Sequence, residues 1–505
     1  MLKKTLFALL VCILAILLNV SAAPTVELTE TDKIVHLLNR AGYGPRPGDV
    51  ERVRHKGITA YIEEQLRPES INDTHVDPRL ALFDTLKSEP EYILSRYQRD
   101  PRPVVEQLQS QKVIRALYSE RQLQEVMTDF WFNHFNVNSG KEGVQFVVTT
   151  YERDVIRRHA LGKFKDLLLA TARHPAMLVY LDNVMSSAAG INENYARELM
   201  ELHTMGVDGG YLQSDVEQVA RAFTGWALTT NGLAFQFRKD MHVPGDKTVL
   251  EHRIPSGGVD EGERVLEILT QHPSTANFIA TKLVRRFVAD TPPPALVRRV
   301  AQVYTETDGD IRDMVRAILT SPQFSEPTAI RAKAKTPFEA VVSSMRAVNA
   351  VLLDSIDSQS AQGAMRGLPA GDIVLTKQGG ARIRISPAII IVRAIQDMGQ
   401  FPYQYPEPTG YPDRSDYWMS GWSVLHRTRF AVSLVNNEIL GTNVDVGKLN
   451  IDSRKTADLT EAHRKALLAE LIAPAVAGTK ATTPAPNAVI EAVALALGSP
   501  EFQQK

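Results

Sequence analysis

The sequence predicts a mainly α protein: one large multi-helical domain with one or two small β-hairpin insertions. Three observations carry that expectation. Apolar residues recur at helical spacing through the first two thirds of the chain, as in Val216, Val219, Ala220 and Phe223. Caps and breakers bracket these stripes, with Thr31 and Asp32 ahead of the first, and Gly206, Gly209, Gly210 and Ser214-Asp215 ahead of a later one. Strand-like alternation is confined to short runs, Leu233 to Arg238 and Thr248 to Leu250, which read as one hairpin around Pro244-Gly245.

At the start of the chain, Lys3 and Lys4 precede an apolar run from Leu6 to Leu18, and Val20-Ser21-Ala22 follows as a cleavage site. This predicts a signal peptide over residues 1–22 and export to the periplasm or beyond. The run is shorter than the roughly 20 residues of a bilayer span, so no transmembrane anchor is expected after cleavage. The single cysteine, Cys12, lies inside the run behind Val11, where a lipoprotein signal needs a small residue. A cysteine-free mature chain excludes disulfides, thiolate catalysis, iron-sulfur clusters and c-type haem. With 57 basic against 58 acidic residues, the chain lacks the charge excess that nucleic acid or an anionic membrane would call for.

Residues 23–350 are expected to form the main helical domain carrying any site. In its first helix Ile34, Leu37 and Leu38 form the apolar stripe, while His36 and Arg40 fit a pair serving helix-end carbonyls. From Glu120 to Asn136, Glu125, Asp129, Asn133 and Asn136 fall on one stripe at about 100° per residue, opposite Val126, Phe130, Trp131 and His134. Such a line of oxygens suits a hard cation or a substrate hydroxyl, and a solvated face reads the same way. Arg153, Arg157 and Arg158 follow, placed for an anion or for pairing with Glu152, Asp154 and neighbouring helices.

The densest stretch runs from Asn192 to Trp226. Asn194, Glu198 and Glu201 recur at i, i+4 and i+7, and Arg197 is placed to pair with Glu201. His203, five residues after Glu198, falls off that face on an ideal helix, and the H-E-x-x-H zinc pattern is absent. Glu198 or Glu201 is the candidate acid or base, with His203 and His134 for proton transfer and Arg197 orienting an anion. Asn133, Asn194, Arg221, Trp226 and Trp418 are the candidate substrate contacts. His242, Asp246 and Asp129 are the candidate ligands of a divalent metal. The same groups read equally as an internal salt-bridge network.

Further on, Lys282, Arg285 and Arg286 are expected on the outer face of a helix that ends at Phe287. VRAILTSPQF and VALALGSPEF share a helix-Ser-Pro-x-Phe ending, which suggests a reused capping unit. Residues 351–386 read as a divergent insertion with a hairpin turning at Gly379-Gly380, and residues 387–505 as a C-terminal helical region. Within the latter, Gly399 to Trp418 is too rich in proline for regular structure, and its tyrosines and tryptophan suit either a carbohydrate or peptide groove or the cover of a helix. Ala477 to Ala485 reads as a linker.

The segments HLLNRAGYGPRPGDVE, VMTDFWFNHFNV, NENYARELMELHTMGVDGGYLQSDVEQVARAFTGW, HPSTANFIATKLVRRFVAD, GDIRDMVRAILTSPQF and GSPEFQ together resemble the large bacterial family catalogued as domain of unknown function 1800. The resemblance runs from about His36 to Phe502. It implies an exported, largely helical protein, often encoded beside a second exported family, domain of unknown function 1501, of sulfatase-like look, which is a possible partner. It brings no reaction, cofactor or catalytic residue. One departure is visible: the family pattern places an acid directly after the histidine at 242, and here Val243 stands in its place, leaving Asp246 as the candidate substitute. The functional expectation is a hydrolase acting on an envelope or extracellular polymer. A non-catalytic assembly partner of the sulfatase-like protein and a carbohydrate-binding protein are the alternatives.

Overall fold

The computed structural model describes residues 28–354, 356–357, 384–449 and 486–505. The expected signal peptide, the turn at Gly379-Gly380 and the linker at 477–485 lie outside the described residues. The protein is mainly α. Helix α1 (Glu30–Arg40) begins two residues earlier than the sequence suggested, because Thr29 rather than Thr31 caps it: Thr29 Oγ1 accepts from the Asp32 amide at 3.1 Å, and the Asp32 carboxylate accepts from the Thr29 amide at 3.1 Å. Helices α2 (Arg102–Tyr118) and α3 (Gln122–His134) follow, and their junction is held by Gln122, whose side chain donates to the carbonyls of Ala116 and Ser119 and accepts from the Tyr43 amide.

Helix α4 (Asn194–Glu198) runs directly into a π-helical turn, Leu199–Thr204, where the buried Thr204 hydroxyl donates to the Leu199 carbonyl at 2.7 Å. His203 on this turn is buried in the core. Helix α5 (Gln213–Ala222) leads to two hairpins where one was expected. Strand β1 (Trp226–Leu228) pairs with β2 (Phe235–Phe237), and β3 (Lys247–Val249) pairs with β4 (His252–Ile254). The second hairpin turns at Leu250 and Glu251, both at positive φ (49° and 66°), a turn without the Asn-Gly signature that would have revealed it.

Helices α6 (Val259–Gln271) and α7 (Pro273–Phe287) come next, then α8 (Pro337–Ala347), α9 (Ala388–Asp397), α10 (Gly421–Val435) and α11 (Pro486–Gly498). Helix α9 lies against α2, and α10 against both α8 and α11. One apolar cluster contains residues as far apart in sequence as Ile34 and Phe502. Among the described residues no helix is long and apolar enough to cross a membrane. The two Ser-Pro-x-Phe endings repeat one local device: Ser321 Oγ accepts from the Phe324 amide and Ser499 Oγ from the Phe502 amide, with both rings buried.

Candidate functional site

The segment from Gly399 to Trp418 folds over the C-terminal end of α3. Its prolines remove donors and leave carbonyls that need partners from elsewhere. The amide groups on the α3 stripe supply them. Asn133 Nδ2 donates to the Tyr411 carbonyl at 2.9 Å while its Oδ1 accepts from the Tyr411 amide at 2.7 Å. Asn136 Nδ2 donates to the carbonyls of Tyr405 and Glu407 at 3.1 and 2.7 Å. Gln109 Nε2 donates to the Pro402 carbonyl and the Tyr180 hydroxyl to that of Pro406. Only glycine fits at 410: φ is 66°, and a Cβ there would lie 2.1 Å from the Asn133 carbonyl oxygen.

Between this segment, α3 and α7 lies a cleft of about 380 Å³. Tyr405, Tyr411 and Trp418 form one wall, with ring centroids 4.2 Å apart for the tyrosine pair and 5.2 Å apart for Tyr411 and Trp418. Trp418 is itself buried and donates Nε1 to the Pro412 carbonyl. Asn133, His134 and Asp129 contribute the α3 side, with Asp129 ion-paired to Lys112. The third wall is unexpected. Lys282, Arg285 and Arg286, expected to face outward, line the cleft. At about 100° per residue Arg286 falls about 20° from Ile279, between Thr275 and Ile279 on the buried side of α7, which is the signal that could have turned this face inward.

These cations differ in how they are partnered. Arg286 Nη1 meets Glu339 at 2.6 Å, an acid that Lys505 also engages. Among the described residues Arg285 has no ion pair, and it donates Nε to the Asp290 carbonyl at 3.3 Å. Lys282 has neither hydrogen bond nor ion pair among the described residues, and its ammonium lies 5.4 Å over the Phe278 ring. Burial, opposed by Asp413 and reinforced by Arg285, brings its pKa down to about 8. Asp413 is held by Lys333 at 2.9 Å, and its Oδ2 is buried without a partner.

The other sequence-derived residues are distributed as follows. His134 and His203 meet, with ring centroids 6.2 Å apart; His134 Nε2 donates to the His203 carbonyl at 3.0 Å, leaving His134 Nδ1 and His203 Nε2 buried without partners. Burial holds both imidazoles neutral, with nearby Lys282 adding to the effect. Glu198 and Glu201 stay together away from the cleft wall; burial, then Glu201, raise the Glu198 carboxyl above its ordinary range. Arg197 pairs with Glu193 at 3.1 Å and donates to Gln213, and no ion pair joins it to Glu201 among the described residues. Asn194 donates to the Leu181 carbonyl, and Arg221 forms no ion pair with Glu217. Trp226 is fully buried against Gly262.

On the stripe of α3, Glu125 is buried and takes a two-point bond from Arg157 at 2.7 and 2.8 Å. Burial works against its charge and Arg157 overcomes it, holding the carboxyl below its ordinary range. His242 finds its acid on α6, well along the chain from the expected Asp246: Nε2 lies 3.1 Å from Glu261, which also engages the buried Lys247 and the amides of Gly257 and Gly258. Asp246 is exposed and pairs with Arg253. Among the described residues no group of three or more His, Cys, Asp or Glu side chains is placed to hold a metal ion.

A family model described as a protein of unknown function, DUF1800, matches residues 36–504. The chain belongs to the DUF1800 family. Every wall of the cleft lies within the matched region of this DUF1800 protein. No curated protein and no solved structure matches it.

Proposed function

We propose that this DUF1800 protein is exported and binds a glycan-type polymer of the cell envelope or its surroundings in the cleft beneath the 399–418 segment. The aromatic wall carries the reading. Tyr405 and Tyr411, backed by the buried Trp418, line a space that polar side chains line on its other sides. Aromatic faces with a few fixed polar groups suit the apolar faces and hydroxyls of sugar rings. At about 380 Å³ the cleft falls at the low end of ligand sites, roughly 300–1,000 Å³, which suits a chain end or a short stretch of polymer. Binding of oligosaccharides followed by tryptophan fluorescence tests it. Tyr411→Ala should abolish a binding signal that the unaltered chain gives, and equal binding by both would sink the reading.

Hydrolysis of the polymer at a point outside the cleft, where Glu198 lies, is a second reading with one observation in its favour. Glu198 is half-buried and forms no ion pair among the described residues, and burial, then Glu201, raise its carboxyl pKa, the direction a general acid needs. Release of new reducing ends, lost in Glu198→Gln with binding retained, would support it. Unchanged release in that variant would remove Glu198 from the reaction.

A further inference from the structure

We propose that the ligand carries an anionic group seated between Lys282, Arg285 and Arg286, so that the cleft selects acidic over neutral glycans. This rests on the binding reading given above. The three residues stand at i, i+3 and i+4 on α7 and turn one face into the cleft. Like charges at that spacing disfavour the helix, and burial makes the juxtaposition worse. The local acids resolve it only in part: Asp413 leaves one buried oxygen unpartnered beside these cations, and Glu407 lines the cleft without an ion pair among the described residues. Asp129 is taken by Lys112, Asp413 by Lys333, and Glu339 is shared between Arg286 and Lys505.

Among the described residues what remains is an ammonium with no polar partner, a guanidinium with one backbone contact, and the Nε of Arg286, buried and unpartnered in a residue that is 6% exposed. A sulfate, phosphate or carboxylate group would satisfy these donors together, with the forked guanidinium geometry matching two of its oxygens. The aromatic wall sits across the same space, so the anion and the sugar ring to which it is attached would be held at once.

The test titrates the full mature chain at low salt with a sulfated oligosaccharide, a uronate-containing one and a neutral one of equal length, alongside inorganic sulfate and phosphate. At least one acidic sugar should bind about tenfold or more tighter than the neutral sugar, and added salt should erase the difference. Which acidic sugar prevails identifies the anion. Lys282→Met combined with Arg285→Met should remove the preference, acidic binding falling much more than neutral binding. In the unaltered chain, amine labelling read by mass spectrometry should show Lys282 protected by the anion, a readout that stands even if the variant fails to fold. Equal affinity for acidic and neutral sugars, or a preference that survives the double variant, overturns the proposal and spares the glycan reading. Protection of Lys282 by inorganic anion without binding of any sugar keeps the anion seat and overturns the glycan reading instead.

Discussion

Asn133 grips Tyr411 in both directions, donating to its carbonyl at 2.9 Å and accepting from its amide at 2.7 Å, as a neighbouring strand would. A side chain thus does the work of backbone pairing for a segment whose prolines leave it few partners of its own. Asn133→Ala removes both bonds. We expect a loss of about 1–3 kcal/mol in denaturant unfolding and faster proteolytic nicking between residues 399 and 418. Unchanged nicking would show that the segment is held without Asn133.

Gly410→Ala places a Cβ against the Asn133 carbonyl oxygen at a positive φ. The clash and the backbone strain together should cost at least about 1–3 kcal/mol. The same variant should lose ligand binding, because the aromatic wall moves with the turn. Full stability in thermal melts would contradict the close approach.

Glu125 and Arg157 form a buried pair, so removing one partner leaves the other charge uncompensated. Arg157 also holds the buried Glu152 at 2.8 Å, so Arg157→Met, which strands two carboxylates, should cost about 3–5 kcal/mol, whereas replacing all three by apolar residues should cost less. Glu125 has a folded pKa below its ordinary 4.5, so its contribution is present above that value and is lost as pH falls through the folded pKa. In Glu125→Gln the acid limb of the stability curve below pH 4.5 should therefore flatten.

Buried histidines set a second acid window. Burial, helped by Arg40 at His36 and by Lys282 at His203, lowers both from 6.5 to about 3. The unfolded chain binds more protons than the folded one between those values. Stability should fall as pH drops from 6.5, by about 1.4 kcal/mol per pH unit for each histidine. His203→Phe should reduce that slope in urea melts measured between pH 4 and 6.5, and an unaltered slope would mean that His203 titrates normally.

Lys282 acts at the alkaline side. Its folded pKa, about 8, lies below the ordinary 10.5, so the folded chain binds fewer protons across that window and gains stability as pH rises through it. Anion affinity should move the opposite way, fading above about pH 8 as the ammonium is lost. A preference for acidic ligands that persists at pH 10 would assign the seat to the arginines alone.

Much of this architecture was legible in the chain. The helical stripes, the Gly and Ser caps, the irregular course of residues 399–418 and the ordered motifs of the family follow from local periodicity and from proline and glycine chemistry. The site was legible only in parts: Asn133, His134, Asp129 and Trp418 were singled out and share one cleft, while Glu198, Glu201, His242 and Trp226 lie elsewhere. The hidden part was relational. Periodicity tells which residues share a helix face and says nothing of what that face meets. Lys282, Arg285 and Arg286 read as a solvated surface until a segment more than a hundred residues later closes over them. Likewise Glu261 became the partner of His242 only through the packing of α6 against the hairpins. Local chemistry determined the elements and their caps; long-range packing decided which charges were buried, which were paired and which were left facing a cleft.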